Sequence, residues 1–99
     1  MNFEKLCEDA LLKLLEAVEQ EDKNSQLDVE YSDGILQISV EKTSQTYIIN
    51  RHSASQKIWY SSPISGADYF SFDKKSLKWL DSKGKELSEK LLLELKKFF

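Results

Sequence analysis

The apolar positions of the chain keep a helical period at both ends and a strand period between. Phe3, Leu6, Cys7, Ala10, Leu11, Leu14 and Val18 fall on one stripe at about 100° per residue, which predicts an amphipathic helix over residues 3–20. Asn2 is placed to cap it, and Lys5–Asp9 and Asp9–Lys13 are i, i+4 pairs that support it slightly. Residues 21–26 are polar and form a loop. The period then drops to two. Leu27, Val29 and Tyr31 alternate with Asp28 and Glu30, Asp33-Gly34 marks a tight hairpin, and Leu36, Ile38 and Val40 run back. Thr46–Arg51 and Lys57–Ser61 read as a third and a fourth strand, and residues 62–66 as a loop holding the single proline, Pro63. Tyr69–Phe72 and Leu77–Leu80 read as two more short strands, with Leu77 and Trp79 both directed to the core. A last helix spans residues 86–98, with Leu87, Leu91, Leu95 and Phe98 on one face and Lys90, Lys96 and Lys97 toward its C-terminus.

This order, α-β-β-β-β-β-β-α, has short connections throughout, so neighbouring strands pair antiparallel. Two helices with one apolar stripe each cover one face of the sheet and leave the other in water. The predicted fold class is α+β, a two-layer sandwich of two helices on one face of an antiparallel sheet, formed by residues 1–99 as a single domain.

Composition narrows the function classes. With 40% apolar and 31% charged residues, the chain reads as soluble and globular, and no apolar run approaches the ~20 residues that span a bilayer. The start of the chain lacks the marks of a secretory leader or a transit peptide, so the chain stays where it is made or has already lost a leader; a cytoplasmic location and no membrane partner are expected. One cysteine and one histidine rule out an internal disulfide and a zinc site of paired Cys and His ligands. The charge is polarised: residues 1–33 carry ten Asp/Glu against three Lys, a net of −7, and residues 34–99 carry +4. The acidic third disfavours nucleic acid and favours a cation or a basic protein surface.

Two features could carry chemistry. On the outer side of the first helix Glu8, Glu16 and Glu19 lie within about 80° of one another, with Asp9 at the margin and Leu12 among them. Glu21, Asp22, Asp28, Glu30 and Asp33 continue the acidity. Such carboxylates suit hard cations, iron among them, but a helix also needs a solvated face and glutamate is a common way to make one. Trp59 points to the open sheet face if Ile58 and Tyr60 point inward, with Lys57, Asn50 and Arg51 as neighbours. A slip of one residue in that alternation would instead bury it. Aromatic and basic groups on an open sheet suit stacked bases or a protein-binding hot spot. His52 has no evident nucleophile to serve, Cys7 falls on the apolar stripe, and the three glycines are scattered in turns. No catalytic constellation exists, so an enzyme is not expected.

The segments Tyr47-Ile48-Ile49-Asn50-Arg51 and Lys57-Ile58-Trp59-Tyr60-Ser61-Ser62-Pro63-Ile64-Ser65-Gly66 resemble the frataxin family, in its bacterial CyaY-like form. The family's sheet carries an I-N-[KR]-Q segment, then Q-[IV]-W and often S-S-P-x-S-G. Val29–Val40, Lys78-Trp79 and Leu87–Leu95 extend the resemblance over nearly the whole chain. It implies an iron-binding protein that assists or regulates iron–sulfur cluster assembly, docking on the cysteine desulfurase and scaffold protein. Ferrous or ferric iron would bind weakly at the surface on Glu8, Glu16, Glu19, Asp22 and Asp28, and Glu16, Glu19, Asp22, Asn50 and Trp59 would meet the partner. A monomer is expected, with iron-dependent oligomers left open. The alternative is an iron store with ferroxidase activity. The chain departs from the pattern where Lys57 precedes Ile58-Trp59, where His52 stands in place of Gln, and where Ala54 replaces a usual Pro. It stops at the second helix without a tail to pack between the helices, from which a marginal fold is expected.

Overall fold

The computed structural model describes residues 2–98. Asn2 caps helix α1 (Phe3–Glu21), its Oδ1 accepting from the Glu4 and Lys5 amides at 3.0 and 3.3 Å. Six strands follow: β1 (Leu27–Ser32), β2 (Ile35–Val40), β3 (Gln45–His52), β4 (Lys57–Ser62), β5 (Gly66–Asp73) and β6 (Lys78–Leu80). Helix α2 (Leu87–Leu95) ends in a 3₁₀ turn at Lys96–Phe98. The strands form one antiparallel sheet in sequence order, β1 to β6. The expected α+β sandwich is the observed fold.

The β1–β2 turn shows why its sequence is Asp-Gly. Asp33 and Gly34 have φ of +49° and +78°, the pair of positive values a two-residue primed turn demands. A Cβ on Gly34 would also lie 3.0–3.3 Å from the Arg51 guanidinium, which would have to shift slightly to admit it. Arg51 reaches back across the hairpin to Asp33 at 3.8 Å. It pairs with Ile58 in register and so sits on the helix side of the sheet, not beside Trp59 as the sequence suggested.

The core lies between that sheet face and the helices. Cys7, Leu11, Leu14 and Val18 of α1 and Leu87, Leu91 and Leu95 of α2 meet Leu36, Ile38, Val40, Tyr47, Ile49, Ile58, Tyr60, Phe70 and Trp79. Three expectations at the C-terminal end need correction. Strand β5 runs on to Asp73, which pairs with Lys78, so residues 74–77 are a turn and Leu77 is 69% exposed at φ +59°. Only Trp79 of that pair enters the core. Helix α2 stops at Leu95, and its last turn tightens to 3₁₀. Lys90 does not serve the helix end: its ammonium lies 3.6 Å from Asp81 and 3.8 Å from Asp68, above the rings of Tyr60 and Phe70.

Candidate metal and docking surfaces

Helix α1 packs on β1 and β3 and turns its acidic side outward. Glu8, Leu12, Glu16 and Glu19 are all exposed, on one stripe opposite Cys7, Leu11, Leu14 and Val18. Asp28 and Glu30 point outward from β1, the sheet's edge strand beside that helix. Glu8 and Glu16 are about 12 Å apart along the axis at 1.5 Å per residue. Among the described residues no three His, Cys, Asp or Glu side chains converge on one point that could hold a metal. The acids form a row of separate hard-oxygen donors, not a cage. A cation here would keep most of its waters. Of the helix pairs, Lys5–Asp9 forms at 3.5 Å between two exposed side chains, and Asp9–Lys13 is not among the ion pairs of the described residues.

Asp22 differs from its neighbours. It is half-buried, and its two carboxylate oxygens accept the Gln26 amide at 2.7 Å and the Leu27 amide at 2.9 Å. It therefore closes the α1–β1 loop. Each oxygen keeps a second lone pair, so the group can still face a cation while the loop holds it fixed.

On the open sheet face the alternation of β4 is the one that exposes its tryptophan. Ile58 and Tyr60 are fully buried on the helix side, and Trp59 is half-buried on the other. Trp59 stands between Asn50 and Tyr69 in register, and Ile35 continues the row. Ile35, Ile48 and Tyr69 are 47%, 39% and 38% exposed, so an apolar strip crosses the solvent face. Trp59 meets Tyr69 edge-on at 4.8 Å between centroids. Asn50 Nδ2 donates to the Arg51 carbonyl at 3.0 Å, which leaves its amide oxygen to accept from outside. His52 is half-exposed, with Nδ1 and the Ser55 hydroxyl 2.7 Å apart.

One buried polar centre escaped the sequence reading. Glu94 is 9% exposed; its Oε1 accepts from the Ser62 hydroxyl and, at 3.2 Å, from the Tyr47 hydroxyl, and its Oε2 from the Ser65 hydroxyl at 2.8 Å. Burial, reinforced by this carboxylate, pushes the Tyr47 and Tyr60 phenols well up. The signal was present: position 94 falls seven residues after Leu87 and three after Leu91, on the apolar stripe of α2. An acid on a core stripe predicts buried donors opposite. Asp81 is a second such group. Burial alone would raise its pKa, but the Lys85 and Lys83 amides, at 2.8 and 2.9 Å, and the Lys90 ammonium hold it below the ordinary value.

The family model described as a frataxin-like domain matches residues 1–99. A mitochondrial frataxin homolog from Drosophila melanogaster is 36% identical over 74 residues, covering 71% of this chain and 39% of that protein. A mitochondrial frataxin from Arabidopsis thaliana is 30% identical over 95 residues, covering 93% of this chain and 50% of its own length. The chain thus spans half or less of these relatives. Among solved structures, trimeric frataxin from the yeast Saccharomyces cerevisiae in a ferrous complex superposes with a TM-score of 0.78 at 28% identity, over 93% of this chain and 83% of the yeast chain. A frataxin from Psychromonas ingrahamii shares the fold at a TM-score of 0.72 and 21% identity, over 98% of this chain and 91% of the other.

Proposed function

The chain belongs to the frataxin family, and from that premise we propose that it carries iron weakly on the exposed carboxylates of α1 and β1 and assists iron–sulfur cluster assembly by docking on the cysteine desulfurase and its scaffold protein. The observation that carries this reading is the set of exposed acids Glu8, Glu16, Glu19 and Asp28, with Asp22 fixed at the C-terminal end of α1. Like charges at i, i+3 repel, and a divalent cation among them relieves the repulsion. Oxygen donors without a soft ligand or a preformed cage give loose, largely hydrated binding, which suits a carrier that must release its cargo. The same acidity offers a basic partner a complementary surface, and Trp59 with Asn50 offers a rigid aromatic and amide contact on the sheet. The protein acts without catalysing a reaction of its own. An iron store with ferroxidase activity would need carboxylates and histidines gathered on facing helices; the single histidine, His52, lies on β3.

The test is an anaerobic Fe²⁺ titration followed by NMR, with Mn²⁺ and Co²⁺ as competitors, alongside a pull-down with the desulfurase. Broadening centred on α1 and β1, with affinity of about micromolar or weaker, is the expected result. Broadening centred on His52 or Cys7 would sink the acidic-row assignment.

A further inference from the structure

The β3–β4 end of the open sheet face gathers three side chains around one ring, that of Tyr69. Tyr69 contacts Trp59 at 4.8 Å and His52 at 5.6 Å, both edge-on, and the Lys57 ammonium stands 5.9 Å from its centroid. His52 and Lys57 are also direct partners in the β3–β4 register. Among the described residues no carboxylate lies within the 4.0 Å ion-pair limit of Lys57. The corner is rich in donors: ammonium, indole N–H, phenol and imidazole. Three acids line the groove beside Lys57 and Tyr69, and each has a partner: Asp68 and Asp81 face the Lys90 ammonium at 3.8 and 3.6 Å, and Asp73 Oδ2 accepts from the Ser76 amide at 3.1 Å and hydroxyl at 2.6 Å. The open-face acids Asp28 and Glu30 lie at the opposite edge, on β1, three strands from β4.

We infer that this corner receives an acidic segment of the partner protein, with a carboxylate on Lys57 and an adjacent apolar side chain on the Trp59–Tyr69 edge. This rests on the docking reading of the sheet face and adds the chemistry of what docks there. Charge complementarity selects the occupant. A basic segment would meet an unpaired ammonium, and a neutral one would cover Lys57 without an acceptor. The edge-on contacts hold the Trp59, Tyr69 and His52 rings together before binding, so Lys57 is the main side chain to be ordered on docking. The inference also accounts for a feature particular to this chain, a lysine where the resemblance leads one to expect glutamine. The acidic row on α1 and this corner then ask for opposite charges, so one partner surface cannot serve both in the same way.

Two measurements test it. In the first, ¹⁵N-labelled protein is titrated with a capped oligoglutamate peptide, with capped oligolysine as control. Salt-sensitive shifts should centre on Lys57, Tyr69 and the Trp59 indole N–H and vanish in Lys57→Glu. Shifts centred instead on Lys74, Lys75, Lys78, Lys83 or Lys85, or unchanged in Lys57→Glu, overturn the inference. In the second, affinity for the desulfurase–scaffold complex is measured for wild type, Lys57→Gln, Lys57→Glu and Trp59→Ala. Lys57→Gln should lose about two- to fivefold and Lys57→Glu roughly tenfold, on the scale of partly exposed ion pairs. Loss in Trp59→Ala with wild-type affinity in Lys57→Glu overturns the inference and leaves the docking reading standing. If wild type itself does not bind the complex, the docking reading fails, and the peptide titration alone decides for or against the acidic occupant.

Discussion

Replacing Glu94 by alanine is the sharpest test of how the sheet, the Ser62–Gly66 segment and α2 are tied together. Three hydroxyls donate to this carboxylate, from Tyr47, Ser62 and Ser65. Ser65 is exposed and can turn to water, so its loss costs little. Tyr47 and Ser62 are buried and cannot. A buried donor left without an acceptor costs about 1–3 kcal/mol, so two cost roughly 2–6. Relief of the desolvated charge offsets part of this, which leaves an expected destabilisation of about 2–4 kcal/mol. That is a large share of the ~5–15 kcal/mol typical of a domain. Urea unfolding followed by tryptophan fluorescence measures it. Glu94→Gln keeps an acceptor for Tyr47 and Ser62 and should cost about 1 kcal/mol. Tyr47→Phe removes one of the two stranded donors, so Glu94→Ala should cost about 1–2 kcal/mol less in that background. If Glu94→Ala lies within about 0.5 kcal/mol of wild type, or the cycle shows no coupling, the carboxylate is not the acceptor those hydroxyls depend on.

Trp59→Ala should weaken partner binding while costing the fold only about 1 kcal/mol, the worth of its edge contact with Tyr69, as read by thermal unfolding and affinity side by side; a loss of 3 kcal/mol or more would mark a core residue. Replacing Glu8, Glu16 and Glu19 together by lysine should abolish docking on the desulfurase and reduce iron binding with the fold intact, checked by pull-down at about 50 and 500 mM salt, since exposed charges are screened over about 8 Å. Asp22 is left out of that set because Asp22→Ala strands the Gln26 and Leu27 amides and should cost about 1–2 kcal/mol in urea unfolding. Burial pushes the Cys7 thiol up to about 11, so the native protein should resist iodoacetamide at pH 8. Because the folded pKa lies above that of the unfolded chain, the thiol's contribution to stability is complete below pH 9. It is lost as the pH rises toward 11, by about 1.4 kcal/mol per unit, and unfolding curves on a Cys7→Ser background should lack that slope.

Periodicity made the two helices, the Asp33-Gly34 hairpin and the central strands legible because each of those elements buries one regular face. It failed where tertiary pairing sets the boundary. Leu77 is apolar and two residues from Trp79, so alternation puts it in the core, but the Asp73–Lys78 pairing closes a turn around it. The sequence suggests Arg51 beside Trp59, but its register with Ile58 puts it on the helix side, where its guanidinium lies over Gly34 of the hairpin, a placement no local pattern supplies. Lys90 looked like a helix-end charge because sequence spacing along α2 says nothing of Asp68 and Asp81, which the sheet and the loop before α2 bring to it.

The candidate site divides along the same line. Exposed acids on a helix stripe are read directly from spacing, since nothing but the helix positions them. What spacing misses is which acid also has a structural partner. Among the described residues Glu8, Glu16 and Glu19 have no side-chain partner, so each can reorient toward a cation or a partner lysine at small cost. Asp22 is held by two amides, so it presents one constant geometry at the end of that row. If the row takes iron as proposed, unpaired acids ending in a fixed carboxylate would favour loose binding along its length with one preferred end. A cation bound near Asp22 also draws on the group that closes the α1–β1 loop. On the proposed reading, occupancy there would be coupled to the edge strand bearing Asp28, because the same carboxylate holds the Leu27 amide at the start of β1.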